Sequence, residues 1–117
     1  MPNRKNGMEI KEQKVGQGIL ISIAGRLDTT NYAVLEKKLT DLIENRNDKI
    51  LVECSQMDYI SSSGLRILLI ALKKITLAKG KFALCSLQEN IHEIFEISGF
   101  TSIFNIYSSR EDALKEF

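Results

Sequence analysis

Hydrophobic residues follow two different spacings along this 117-residue chain. Short runs rich in Ile, Val and Leu predict strands, whereas apolar residues that recur every three or four positions predict amphipathic helices. The predicted strands are Met8–Val15, Ile19–Ala24, Lys49–Cys54, Lys81–Ser86 and Ile103–Tyr107. The predicted helices are Asn31–Asn45, Ser62–Leu77, Glu89–Ser98 and a last helix that begins at Ser108–Glu111 and runs to Phe117.

Strands and helices alternate after the first two strands, and this order predicts an α/β fold with a mixed, mostly parallel sheet. The turn at Gln17-Gly18 predicts an N-terminal antiparallel hairpin. Ser55–Ile60 reads as a connector with partial strand character, and Gly25–Asn31 reads as a loop. We expect a single domain over residues 8–117, with helices packed on the sheet and a flexible tail at residues 1–7.

The net charge and the length of the apolar runs limit the classes of molecule that this protein is expected to bind. The formal net charge is +1, from 16 basic and 15 acidic side chains, so no cationic surface for nucleic acid or for a membrane is predicted. The longest apolar run, Ile67–Leu72, is far shorter than the roughly 20 residues that span a bilayer. Residues 1–7 lack the apolar stretch of a signal peptide. We expect a cytoplasmic protein whose partner is a protein or a small ligand.

The residues that usually carry catalysis or metal binding do not form a recognisable pattern. Cys54 and Cys85 have no CxxC or histidine spacing beside them, so free thiols are expected and a metal site is not. His92 is the single histidine and falls on the exposed side of a short helix. The sequence also lacks the G-x-S-x-G, GxxxxGK[ST] and GxGxxG motifs. We therefore expect neither an enzyme nor a bound cofactor, and a small-ligand domain is the weakest alternative.

Two polar segments each follow the carboxyl end of a predicted strand. These are Gly25–Asn31 and the Ser61-Ser62-Ser63-Gly64 turn that precedes the long apolar helix. In α/β sheets, ligands and partners are met at this edge. A serine at a helix start can cap the helix, and the helix N-terminus also tolerates a phosphate. The residues alone leave three roles open for the serine turn: a structural cap, an anion site or a hydroxyl presented for modification.

The segments Gly25–Asp28 and Asp58–Leu65, together with Ile94–Phe100, resemble the STAS-domain family. More narrowly, they resemble the small single-domain anti-sigma factor antagonists of bacteria, and the resemblance covers the chain from Met8 onward. It implies a STAS fold and a partner switch. The antagonist binds an anti-sigma factor that is also a serine kinase of the GHKL type. That kinase inactivates the antagonist by phosphorylating a serine, and a phosphatase of the PP2C type reverses the modification.

The family pattern Asp-Ser-Ser/Thr-Gly-Leu implies that Ser62 is the phosphoacceptor, with Ser63 as the second choice. Ser61 stands where many members have Asp, and we expect it to be the helix cap. The implied partner-binding residues are Asp28, Thr29, Asn31, Ser61, Ser62, Ser63, Gly64, Leu65 and Arg66. Other STAS domains serve phosphatase–kinase networks, lipid-transport complexes or transporter tails, so the output of the switch stays open. We expect a monomer that forms hetero-complexes.

Overall fold

The computed structural model describes residues 7–117. Its strands are β1 (Met8–Val15), β2 (Gly18–Leu27), β3 (Lys49–Ile60), β4 (Lys81–Cys85) and β5 (Asn105–Tyr107). Its helices are α1 (Tyr32–Glu44), α2 (Ser62–Leu77), α3 (Glu89–Ile97) and α4 (Arg110–Lys115), and a 3₁₀ turn covers Phe100–Ser102. Of the predicted tail, residues 1–6 lie outside the described part, whereas the carbonyl of Gly7 accepts a hydrogen bond from the amide of Arg26 at 3.0 Å.

The five strands form one sheet in the order β1-β2-β3-β4-β5. β1 pairs with β2 in antiparallel fashion, and the other three pairings are parallel, which confirms the predicted mixed sheet and hairpin. Right-handed crossovers between sequential parallel strands place α1, α2 and α3 on one face of the sheet. The larger hydrophobic core lies on this face. A smaller cluster on the opposite face packs under α4 and consists of Leu20, Leu51, Ala83, Cys85 and Ala113.

The second and third strands are longer than predicted, and their extra length forms the edge of the sheet where the polar segments lie. β2 continues to Leu27 and β3 continues to Ile60, because the pairing extends through Arg26–Tyr59 and Leu27–Ile60. Two irregularities in the register give β3 one additional residue each time. Such bulges disturb the alternation of apolar and polar residues. Residues 55–60, predicted as a connector with partial strand character, are therefore strand throughout. The predicted loop at residues 25–31 is wrong for residues 25–27, which belong to β2, and holds for residues 28–31.

The end of α2 places a lysine, and not the glycine that follows it, in the left-handed conformation. Lys79, with φ of 60°, takes this position, and the amides of Lys79 and Gly80 bond to the carbonyls of Thr76 and Ile75 at 3.0 and 2.9 Å. This is a Schellman ending. Gly80 is needed for a different reason, since a Cβ atom at this position would collide with the carbonyl of Asp48. Close backbone packing thus explains the glycine at this helix end.

The C-terminal elements are shorter than predicted. The last strand begins two residues later than predicted, at Asn105. Phe104 lies outside it and packs in the core, with its ring centroid 5.6 Å from that of Phe95. α4 is capped by Ser109, whose hydroxyl accepts the amide of Asp112 at 3.1 Å. The predicted pairing of Ser108 with Glu111 is thus wrong by one residue. The hydroxyl of Ser108 instead donates to the Asp112 carboxylate at 3.3 Å.

The two cysteines are free and buried, as predicted. Cys54 belongs to the larger core, whereas Cys85 belongs to the cluster on the opposite face of the sheet. A disulfide between them is thereby prevented. Burial raises the pKa of the Cys54 thiol strongly and that of Cys85 to about 11. Within residues 7–117, no helix is long and apolar enough to cross a membrane.

Candidate functional site

The turn after β2 is held by its own polar side chains. One carboxylate oxygen of Asp28 accepts the amide of Thr30 at 2.9 Å and the hydroxyl of Thr30 at 2.6 Å. The other oxygen lies 3.5 Å from Nε of Arg26. These donors lower the pKa of Asp28, with the Thr30 hydroxyl as the largest contribution. Asp28 is therefore a fixed anion of a rigid turn.

Asn31 holds the same turn in place through hydrogen bonds from its buried side chain to the backbone. Its side-chain oxygen accepts the amide of Asp28 at 2.9 Å, and its side-chain nitrogen donates to the carbonyl of Arg26 at 2.7 Å. Its exposed fraction is 2%, so its side chain lies beneath the surface. Asn31 also begins α1 as its N-cap residue. We assign it the role of positioning Asp28 and the exposed Thr29.

The serine turn after β3 begins α2 with a capped first turn. The hydroxyl of Ser61 accepts the amide of Gly64 at 3.2 Å, which makes Ser61 the N-cap as expected. The hydroxyls of Ser61 and Ser63 lie 2.8 Å apart and share a hydrogen bond. Ser62 is exposed, and its hydroxyl bonds to no other group among residues 7–117. Of the three serines, Ser62 thus presents the hydroxyl that is available to a second molecule.

The sheet brings the two turns together. Because β2 and β3 are parallel and Leu27 pairs with Ile60, their carboxyl ends lie at the same edge. The amide of Ser61 donates to the carbonyl of Leu27 at 2.9 Å. Gly64 packs into the junction, where a Cβ atom would lie 2.8 Å from Cγ of Leu27 and 2.9 Å from Cγ1 of Ile60. We call the surface formed by the Asp28 turn and the serine turn the rim.

The predicted partner-binding residues differ in exposure. Thr29, Ser62 and Arg66 are exposed, and Asp28, Ser61 and Ser63 are half-buried. Gly64 and Leu65 are buried like Asn31. The exposed and half-buried residues form the rim, and the three buried residues lie behind it and hold the two turns in place.

Arg26 and Tyr59 belong to this rim and were missed by the sequence analysis. They pair across β2 and β3, and the guanidinium carbon of Arg26 lies 4.1 Å from the centroid of the Tyr59 ring. Tyr59 remains 37% exposed. The pair became detectable only with the extended register, because a predicted loop does not place two residues opposite each other. Arginine and tyrosine, together with tryptophan, are enriched among the residues that carry most of the binding energy in protein–protein interfaces.

The start of α3 is fixed to the second half of β3, before the serine turn, by two side-chain hydrogen bonds. The side-chain nitrogen of Gln88 donates to the carbonyl of Ser55 at 2.9 Å, and that of Asn90 donates to the carbonyl of Asp58 at 3.4 Å.

His92 pairs with Glu96 on the same helix at 2.9 Å. Within the described part of the chain, no group of three or more His, Cys, Asp or Glu residues could hold a metal ion.

A mixed five-stranded sheet, with three helices on one face and a serine turn beside an aspartate turn at its edge, is the architecture of a STAS domain. The STAS domain profile matches residues 9–113. The chain therefore belongs to the STAS domain family, which confirms the resemblance inferred from its motifs.

Similar proteins are described as anti-sigma factor antagonists. BtrV of Bordetella bronchiseptica, a candidate anti-sigma factor antagonist, is 33% identical over 110 residues, which cover 94% of this chain and 95% of BtrV. An anti-sigma factor antagonist from Mycobacterium paratuberculosis has a similar solved structure, with a TM-score of 0.87, 17% identity and coverage of 97% of both chains.

SpoIIAA, an anti-sigma factor antagonist from Bacillus, has been solved in two states. Its unphosphorylated form has a TM-score of 0.80 and its phosphorylated form one of 0.75, each at 17% identity. Both comparisons cover 92% of this chain, and they cover 95% and 98% of SpoIIAA respectively. At this level of identity the two structures show a shared fold.

Proposed function

We propose that this protein is an anti-sigma factor antagonist that serine phosphorylation switches off. In its unphosphorylated form it binds an anti-sigma factor that is also a GHKL-type serine kinase, and this releases the sigma factor. The kinase transfers the γ-phosphoryl group of ATP to the oxygen of Ser62. The hydroxyl proton leaves and ADP is released. A PP2C-type phosphatase hydrolyses the phosphoester and restores binding, so the protein itself acts by binding and not by catalysis.

The exposed hydroxyl of Ser62 is the observation that carries this proposal. Ser61 is engaged as the helix cap and Ser63 is bonded to Ser61. A kinase can thus reach Ser62 without disrupting the cap. The relatives named above support the partner class, since they are described as anti-sigma factor antagonists. SpoIIAA in its phosphorylated form supports the view that this fold accommodates the modification.

A phosphate at Ser62 would change the interface and leave the fold in place. Phosphorylation adds about −1.5 to −2 charges at neutral pH. At the first position of α2, the helix dipole and the free amides favour this charge. On the partner-binding rim the same dianion must be desolvated on binding. A penalty of about 3 kcal/mol would weaken binding more than a hundredfold.

Mass spectrometry tests the assignment of the modified residue. The protein is incubated with ATP and the anti-sigma factor kinase encoded in the same organism, and the phosphopeptide spanning residues 61–66 is sequenced. We expect a single phosphate on Ser62, its loss in Ser62→Ala, and its retention in Ser63→Ala. Phosphate on Ser63 alone would refute the assignment. Failure of any such kinase to bind or modify the wild-type protein would favour a STAS module that serves a different output.

A further inference from the structure

Arg66 is an exposed cation on the first turns of α2, four residues after Ser62. Within residues 7–117, no carboxylate lies within ion-pairing distance of its guanidinium. The first turn of α2 also contains no acidic residue. Arg26, the other arginine of the rim, is already bound to Asp28 and stacked on Tyr59. Arg66 is therefore the rim arginine whose charge is uncommitted within the described chain.

The helix geometry points Arg66 towards Ser62. Residues separated by four positions lie on the same face of a helix, with Cβ atoms roughly 5–6 Å apart. Each Cα–Cβ bond tilts towards the N-terminus of the helix, so a long side chain covers the turn that precedes it. The order also matters, since an anion four residues before a cation is the more favourable arrangement. A negative group on the Ser62 oxygen would lie within the reach of Arg66.

We propose that Arg66 is the intramolecular partner of phosphorylated Ser62. This inference rests on the proposed function, because it concerns the phosphorylated state of the same site. Once Ser62 carries the phosphate, the guanidinium of Arg66 donates to its oxygens, which is the strong pairing of arginine with phosphate. Phosphorylation then does two things to the rim. It adds a dianion, and it also engages the one rim arginine that has no ion pair within residues 7–117 of the unphosphorylated protein.

The test measures the second ionisation of the phosphate in the full chain, with phosphoserine placed at position 62 during translation. This route needs no kinase, so it is independent of whether the proposed kinase exists. Phosphorus NMR then gives the pKa, which for a free phosphoserine is about 6. A nearby cation favours the dianion and lowers the pKa. We expect Arg66→Gln to raise the pKa by about half a unit relative to the wild-type chain, and Arg66→Lys to raise it less.

Two matched variants separate Arg66 from the general charge of the surface. Lys73 lies on the same exposed face of α2, but it is eleven residues after Ser62, or about 16 Å along the helix axis. Lys73→Gln should leave the phosphate pKa unchanged, and Arg26→Gln should change it less than Arg66→Gln does. An unchanged pKa in Arg66→Gln overturns the proposal. A larger shift in Arg26→Gln overturns it as well, because Arg26 would then be the phosphate's partner.

Discussion

At the scale of single residues, the rim combines fixed charges with one accessible hydroxyl. The Asp28 carboxylate is engaged by Thr30 and Arg26, so its position and charge are fixed. Ser62 is bonded to nothing else in the described chain. For the proposed binding to an anti-sigma factor, such preorganised groups would lower the entropic cost of association. The accessible hydroxyl is the group that can be modified without disturbing them.

The titration of Asp28 should report the integrity of its turn. Because the folded-state pKa lies below the ordinary value of 3.8, ionised Asp28 stabilises the fold at neutral pH. This stabilisation is lost as the pH falls through the folded-state pKa. Thr30→Val removes the hydroxyl donor that contributes most, so the pKa of Asp28 should rise towards 3.8. Carbon NMR of the Asp28 carboxyl group across the acid range measures both midpoints.

Thr29→Val is the control for this titration. Thr29 is exposed, and no hydrogen bond connects it to Asp28 in the described chain. Its replacement should leave the Asp28 midpoint where the wild-type protein has it. If Thr30→Val and wild type titrate together, the Thr30 hydroxyl does not stabilise the carboxylate, and the turn is looser in solution than its geometry indicates.

At the scale of elements, the sequence predicts which segments are strands and helices but not how far two strands extend. Hydrophobic spacing identifies α1, α2 and α3 because each has one continuous buried face. In β3, the bulges interrupt the alternation of apolar and polar residues at residues 55–59. The second half of this strand therefore reads as a connector in the sequence. Pairing with β2 stabilises this half, and pairing partners are not visible in a local pattern. Arg26 and Tyr59 were missed for this reason.

The serine turn likewise combines features that the local sequence predicts with one that depends on distant elements. Ser61 as the cap follows from local rules, and Ser62 as the expected phosphoacceptor follows from the family pattern. The burial of Gly64 does not, because it depends on Leu27 and Ile60, which come from two other elements. A sequence motif marks the glycine as important and gives no indication of which atoms lie against it.

Replacing Gly64 by alanine should destabilise the fold. The new Cβ atom would lie 2.8 Å from Cγ of Leu27 and 2.9 Å from Cγ1 of Ile60, and both neighbours are buried in the core. Overpacking of this kind costs about 1–3 kcal/mol. Urea denaturation followed by circular dichroism should show a lower midpoint with an unchanged slope.

Ser62→Ala is the matched variant for that measurement, since it changes an exposed residue of the same turn. Its free energy of unfolding should stay within about 0.5 kcal/mol of the wild-type value. Equal stability of Gly64→Ala and Ser62→Ala would show that Leu27 and Ile60 can move aside. In that case the packing of the glycine would not explain its presence.

At the scale of the whole molecule, sheet topology turns two distant segments into one surface. Asp28 and Ser61 are 33 residues apart in the chain, yet their turns meet through the bond between Ser61 and Leu27. Parallel pairing of β2 with β3 makes this meeting obligatory, because both strands end at the same edge. The rim is thus supported by the two longest strands of the sheet. If the rim binds the partner as proposed, a charge added to it should alter binding while the core stays intact.

Separate measurements of affinity and stability test this division between rim and core. Ser62→Asp places one negative charge at the proposed phosphorylation site and should weaken binding of the anti-sigma factor by about tenfold, or about 1.4 kcal/mol. Its melting temperature should stay close to that of Ser62→Ala, because an acidic residue is tolerated at a helix N-terminus. Ser62→Ala should bind with wild-type affinity. Calorimetric titration measures the affinity and thermal melts measure the stability of the same preparations. If Ser62→Asp loses affinity only to the extent that it unfolds, the switch acts through the fold and not through the surface.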